Sequence, residues 1–281
     1  MKLNIMAKKS NSSVNKLKVA AVQMVSVANV EENLKQAKAL VNQAAEQGAK
    51  LVCLPEFFCY LGGAETDKLE IAEAFGEGYI QKQLAQWAKN LDIYLVGGTI
   101  PLKSPEPNRV YNTTLVYNPE GACIARYDKI HLFSLTGNKA RFDEADTIYP
   151  GNFKPVVCPS PMGPIGLSVC YDLRFPELYR QMGAVNLIVV PSAFTYKTGQ
   201  AHWEVLLRAR AIENQAYVLA PAQGGTHEGR RRTWGHTLCV NAWGKVMKVL
   251  PSGPGLVCCE LSMEHLTRVR ERLPALSHRV L

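Results

Sequence analysis

Cys170 stands at the end of the apolar run Pro164-Ile-Gly-Leu-Ser-Val169 and is followed by Tyr-Asp-Leu-Arg-Phe-Pro-Glu177. The pattern predicts a buried strand that breaks sharply into a helix. At such a junction the side chain leaves the sheet, and the helix N-terminus aims free N–H groups and partial positive charge at it. That setting favours a thiolate and can hold an oxyanion, as in a nucleophile elbow built on cysteine. Most buried cysteines are inert packing residues, so Cys170 needs chemical partners. Lys50-Leu-Val-Cys-Leu-Pro-Glu56-Phe-Phe58 offers one, a glutamate placed between a strand-ending proline and two phenylalanines, poorly hydrated and able to accept and return a proton. Arg126-Tyr-Asp-Lys129-Ile-His-Leu-Phe133 offers a second, a lysine ending the return strand of a hairpin over residues 111–129, with its ammonium expected among large apolar neighbours. Base, cation and nucleophile would all leave strand ends, where open α/β architectures place their chemistry.

With these segments the chain resembles the carbon–nitrogen hydrolase (nitrilase) superfamily, whose signature is a Glu–Lys–Cys triad. Leu54-Pro-Glu56-Phe, Tyr127-Asp-Lys129-Ile-His-Leu and Ser168-Val-Cys170-Tyr-Asp-Leu-Arg-Phe-Pro-Glu-Leu178 carry the likeness in the family's order, over about residues 17–261. A second family glutamate maps onto Glu144 in Phe142-Asp-Glu-Ala-Asp-Thr-Ile-Tyr-Pro-Gly151, whose other acids also suit a solvated loop. Residues 194–213 and 235–244 resemble the branch of deaminated glutathione amidases, which is similar to the ω-amidases. The resemblance implies amide hydrolysis through a thioester on Cys170. Glu56 is then the base and acid, the Lys129 ammonium and the Tyr171 backbone N–H hold the oxyanion, and Glu144 orients Lys129 or the substrate. The implied substrate is deaminated glutathione, cleaved to 2-oxoglutarate and cysteinylglycine. Alternatives are α-ketoglutaramate, another small amide or carbamoyl compound, and a catalytically silent binding protein on the same fold. No cofactor is implied, and a homodimer or larger assembly is.

Ser192, Phe194 and Thr195, after a predicted strand over residues 186–191, form a polar and aromatic cluster that could line a pocket beside Cys170. Arg174, near the nucleophile, and the run Arg230-Arg-Arg232 could pair with substrate carboxylates. Their bland alternatives are a salt bridge fixing the elbow and a solvated turn. A Cys–His hydrolase would have to recruit His202 or His236 and lacks a papain-type cysteine motif.

The composition suits a soluble enzyme of one domain, 47% hydrophobic over 281 residues. Of the net charge of +8, five units come from lysines within the first 18 residues, which hold no acid, so the remainder carries only +3 and gives nucleic-acid binding little support. Eight cysteines without a Cys-x-x-Cys pair fit a reducing, cytoplasmic setting. The histidines show no metal-ligand spacing, so no metal is expected. Neither a signal-peptide core nor a run long enough to cross a bilayer is visible.

The elements that must position these groups alternate. Strands are predicted at 17–24, 50–54, 93–99, 111–117, 122–129, 165–170, 186–191 and 217–221. Helices are predicted from Asn29, a capping residue, to Gly48, and at 79–90, 176–182 and 199–215, the last with Trp203, Leu206, Leu207, Arg210 and Ile212 or Glu213 recurring at helical steps. A meander comes last, at 236–241, 245–250 and 255–261. Two sheets covered by helices result, in agreement with the α-β-β-α sandwich that the resemblance implies. Residues 1–16 read as a disordered basic tail, 17–262 as the hydrolase domain, and 263–281 as a C-terminal helix or tail at a subunit interface or on its own core.

Overall fold

Along β1 (Lys16–Gln23), Val19 and Ala21 belong to one apolar cluster and Ala20 and Val22 to another. Successive strand side chains point to opposite faces, so the continuous apolar run Val19–Val22 must lie between two covering layers. The computed structural model describes residues 15–136 and 141–280, which leaves most of the expected tail outside the described residues. After β1 come α1 (Val30–Glu46), β2 (Leu51–Cys53), α2 (Asp67–Glu70), α3 (Tyr79–Leu91), β3 (Tyr94–Val96), β4 (Ile100–Lys103), β5 (Val110–Tyr117), β6 (Cys123–Asp128), β7 (Ser134–Thr136) and β8 (Arg141–Asp143). The chain continues through β9 (Val156–Cys158), β10 (Ile165–Leu167), α4 (Pro176–Gln181), β11 (Leu187–Val189), α5 (Tyr196–Asn214), β12 (Tyr217–Ala220), β13 (Thr237–Val240), β14 (Val246–Leu250), β15 (Gly255–Ser262) and α6 (Met263–Arg272).

The strands form a seven-stranded sheet ordered β15-β1-β2-β3-β5-β4, with β6 on the other edge of β5, and a six-stranded sheet ordered β14-β13-β12-β11-β10-β9. β1, β2 and β3 pair in parallel, as do β10, β11 and β12, and antiparallel strands extend each parallel core. α1 and α3 cover the outer face of the first sheet, where Leu34, Val41, Leu84 and Trp87 pack with Ala20 and Leu95. The inner face, with Val19, Cys53 and Val116, meets the second sheet, and Trp203, Leu207 and Ala211 of α5 join the same cluster. The result is an α-β-β-α sandwich. Burying each large side chain of this set contributes about 1.5–3 kcal/mol.

Several boundaries differ from the sequence expectations for identifiable reasons. The strand expected at 93–99 ends at Val96, where Gly97-Gly98 turns the chain into β4, and α5 begins at Tyr196, three residues before Gly199. Ile212 is exposed on α5, while Ala211 and Asn214 take the buried positions beside Arg210. α1 begins as expected at Asn29, whose side chain accepts a 3.0 Å hydrogen bond from the Glu32 N–H. α6 buries Leu266 and Val269 in the main cluster, and its Arg270 donates to the carbonyls of Val185 and Gln215. No helix among the described residues is long and apolar enough to cross a membrane.

The Gly97-Gly98 break seats the chain that carries Glu56. Gly98 has φ +55, and a Cβ there would lie 2.2 Å from the Pro55 carbonyl oxygen. Thr99 then takes the Phe57 N–H on its hydroxyl at 2.8 Å and donates its own N–H to Pro55 at 3.3 Å. Gly98→Ala should therefore cost roughly 1–3 kcal/mol in a denaturant titration, from backbone strain alone, and should lower kcat by displacing Glu56. A variant as stable and active as the parent would contradict this seating.

Candidate active site

Lys129 follows β6 directly, and the backbone fixes it at both ends: its N–H donates to Asn112 on β5, and its carbonyl accepts from Gly151, each at 2.9 Å. The side chain is fully buried. Its ammonium lies 2.9 Å from Oε1 of Glu56 and 2.9 and 2.7 Å from the two oxygens of Glu144. The expected apolar surroundings are thus replaced by two buried carboxylates, because an unpaired ammonium at this depth would be too costly to keep charged. Burial acts to lower the pKa of Lys129, but Glu144 and Glu56 outweigh it, so the ammonium stays protonated.

Each carboxylate is held by a different segment. Glu56 also accepts from Nδ2 of Asn112 at 2.9 Å, and its carbonyl accepts from Nε2 of Gln223 at 3.1 Å. Phe57, the next residue, has φ 54, a left-handed conformation that marks local strain. Glu144 opens a short 3-10 turn after β8, takes the Phe133 N–H on Oε2 at 2.7 Å, and returns its own N–H to the Phe133 carbonyl at 2.9 Å. The acidic loop around it is therefore not simply solvated.

Cys170 occupies the elbow, with φ 48 and its N–H on the Pro191 carbonyl at 2.9 Å. The chain leaves the elbow in a 3-10 turn over Cys170–Arg174, and α4 starts only at Pro176. Asp172 fastens this turn to the lysine segment. One of its oxygens accepts from the Val169 N–H at 2.9 Å and the Tyr127 hydroxyl at 2.7 Å, and the other meets the N–H and Nδ1 of His131 at 3.0 and 2.7 Å. The ring of His131 stacks on Phe175 at 3.7 Å. Asp172 and His131 carry no signal of their own in the sequence, although both lie inside the motifs that hold Cys170 and Lys129.

A cavity is lined by Cys170 together with Glu56, Glu144, Tyr171, Arg174, Phe194 and Thr195, among others. Of the residues expected to contact substrate, Arg174, Phe194 and Thr195 are therefore brought together around Cys170. The Arg174 guanidinium lies over the rings of Tyr171 and Phe194, at 5.7 and 5.5 Å, and 3.2 Å from Nδ1 of His202, in place of an elbow-fixing salt bridge. The Thr195 hydroxyl meets that of Thr198 at 2.7 Å. Ser192 does not line the cavity; its hydroxyl donates to the Val190 carbonyl at 3.0 Å. Arg231 does line it, whereas Arg232 stacks on Tyr196 at 4.1 Å and the Arg230 side chain lies outside the described set. Neither His202 nor His236 lines it, so the histidine partner of a Cys–His hydrolase is not among its lining residues.

The thiol itself departs from expectation. Burial raises its pKa well above the usual value, Glu56 and Glu144 raise it further, and Lys129 and the Ala193 N–H only partly oppose them. A thiolate would be a third anion beside a single cation, and a five-residue 3-10 turn has too little dipole to compensate. The Ala193 amide, two residues beyond Pro191, is a contact no sequence signal marked.

The carbon–nitrogen hydrolase family profile matches residues 18–271. The chain belongs to this family. A Synechocystis protein named deaminated glutathione amidase is 42% identical over 268 residues, covering 93% of this chain and 97% of the relative. The human protein of the same name is 37% identical, covering 96% and 84%. The crystal structure of Saccharomyces cerevisiae Nit3, described as a member of branch 10 of the nitrilase superfamily, superposes with a TM-score of 0.82 at 30% identity, covering 94% and 97%. The C. elegans NitFhit structure superposes with a TM-score of 0.89 at 37% identity; this chain spans 66% of that protein's length. As a carbon–nitrogen hydrolase, the protein acts on carbon–nitrogen bonds other than peptide bonds.

The raised thiol pKa has a direct readout. The rate of Cys170 alkylation by iodoacetamide should still be climbing at about pH 9, where an ordinary free thiol near 8.5 is already mostly thiolate. A plateau reached below pH 7 would show a depressed thiol and contradict the electrostatics described above.

Proposed function

We propose that the protein is an amidase working through a Cys170 thioester, with deaminated glutathione as its substrate. The observation that carries this reading is the buried Glu56–Lys129–Glu144 cluster opening on the same cavity as a left-handed Cys170. Glu56 removes the thiol proton as the sulfur attacks the amide carbonyl, so the thiolate forms only with substrate in place. The carbonyl oxygen becomes an oxyanion held by Lys129 and the Tyr171 N–H. The ammonium already meets one oxygen of Glu56 and both of Glu144, so the oxyanion displaces one Glu144 contact while Glu144 continues to orient the lysine. Glu56 then gives its proton to the departing nitrogen as the C–N bond breaks. A water that loses a proton to Glu56 adds to the thioester, the C–S bond breaks, and the thiol is restored with the acid product.

The substrate assignment rests on the names of the relatives and on cavity chemistry. Deaminated glutathione carries a carboxylate at each end, and the presence of Arg174, Phe194 and Thr195 in the cavity lining supports pairing of Arg174 with the carboxylate of the 2-oxo acid half. The products are 2-oxoglutarate and cysteinylglycine. The free cysteines support a cytoplasmic setting. A homodimer or larger assembly is part of the same reading, supported by exposed Val205 and Ile212 on α5 and by Trp243 in the turn beside it.

Cys170→Ala, Lys129→Ala and Glu56→Gln should each lower turnover at least about a hundredfold, with Cys170→Ala still folding. Comparison of kcat/KM for deaminated glutathione and α-ketoglutaramate tests the substrate, because discrimination is a difference in transition-state binding. A clear preference for the smaller amide makes the enzyme an ω-amidase, and turnover of neither removes the substrate assignment. Light scattering at micromolar concentration should give at least twice the chain mass of 31.0 kDa; a monomer mass would exclude the assembly.

A further inference from the structure

A second cavity lies on the other side of the segment that carries Glu56. Phe57 and Asn112 line it, the first bonded in sequence to Glu56 and the second hydrogen-bonded to its carboxylate. Arg231 lines both this cavity and the one that holds Cys170, so a single guanidinium borders the two. The walls are otherwise largely apolar, with Tyr60, Ile71 and Ile148 among them.

Two features of this cavity call for a ligand. Lys68 and Arg231 share one carboxylate, that of Glu65, at 2.7 and 3.2 Å, and Glu65 is the only acid among the lining residues, so one positive charge is left uncompensated. Asn112 is 1% exposed and spends its Nδ2 on Glu56, while its buried Oδ1 has no hydrogen-bond partner among the described residues. A buried acceptor at a cavity wall is a place for a donor brought by the occupant. The reaction sets the direction: Glu56 must protonate the departing nitrogen, so the amine half of the amide lies on the Glu56 side of the scissile bond.

We infer that this second cavity is the leaving-group subsite, built for an amine that continues into a short peptide ending in a carboxylate. Asn112 Oδ1 accepts from the scissile or departing N–H, the apolar wall receives the first side chain, and the Lys68–Arg231 pair takes the terminal carboxylate. The 2-oxo acid half stays with Arg174 in the first cavity. The identity of the dipeptide rests on the proposed substrate; the site itself rests on the cavity, its charge and its place beside Glu56.

Direct binding tests the subsite without turnover. Cysteinylglycine and its C-terminal amide, titrated calorimetrically into the wild-type protein, should differ at least tenfold in affinity in favour of the free carboxylate. Lys68→Gln, checked for an unaltered melting temperature, should weaken the free acid about tenfold and bring the two ligands close together. Ile71→Trp, which fills the cavity, should weaken both. Equal affinity of the two ligands for the wild type, no binding of either up to about 10 mM, or indifference to Lys68→Gln would overturn the inference. In turnover, Lys68→Gln should lower the ratio of kcat/KM for deaminated glutathione over α-ketoglutaramate about tenfold. Carboxylate-dependent binding of the dipeptide by an enzyme that hydrolyses neither amide would refute the proposed substrate and uphold the subsite.

Discussion

A buried ammonium between two buried carboxylates is the constraint on which the rest of this structure depends. Lys129 could not remain charged at zero exposure without the two carboxyl groups of Glu56 and Glu144 beside it. Two carboxyl groups face one ammonium there, which favours a protonated neighbour beside them. Cys170 is that neighbour, and its thiol is held protonated by the same field that keeps the lysine charged. Removing one member of such a set leaves an uncompensated buried charge, so the charges act as a unit.

The fold assembles these charges from segments far apart in the chain. Glu56 comes from the turn after β2, Lys129 from the end of β6, Glu144 from the turn after β8, and Cys170 from the end of the strand through β10. The first sheet fixes the first two and the second sheet fixes the cysteine, so the distance between the sheets sets the geometry of the site. Asp172 spans that gap, with hydrogen bonds to Tyr127 and His131 on the lysine side and to Val169 on the cysteine side. A carboxylate with no solvent exposure, taking four such contacts, holds two loops at a fixed separation without taking part in the chemistry.

The candidate site was legible in the sequence where residue type and local pattern coincide. Glu56 after Leu-Pro, Lys129 at the end of a hairpin and Cys170 after an apolar run each announce a side chain leaving a strand end. The α-β-β-α layering was legible for the same reason, since strands apolar at every position require cover on both faces. What the sequence withheld was contact across the chain. Nothing local says that Asn112 reaches Glu56, that Ala193 offers its amide to the sulfur, or that Asp172 receives Tyr127 and His131. The thiol's protonation was misjudged because a strand-to-helix junction was weighed without the two carboxylates that the fold delivers to it. The short strands β4, β7, β8 and β9 were missed because runs of three or four residues carry too little periodicity to show.

A thiol whose pKa is raised by its surroundings is also slower to oxidise. Peroxides attack the thiolate, and the ladder from sulfenic to sulfinic and sulfonic acid begins only there. Enzymes with a permanently ionised cysteine are exposed to that attack whenever they are idle. Here burial and the neighbouring glutamates, which raise the pKa of Cys170, lower the fraction of thiolate that an oxidant meets at rest.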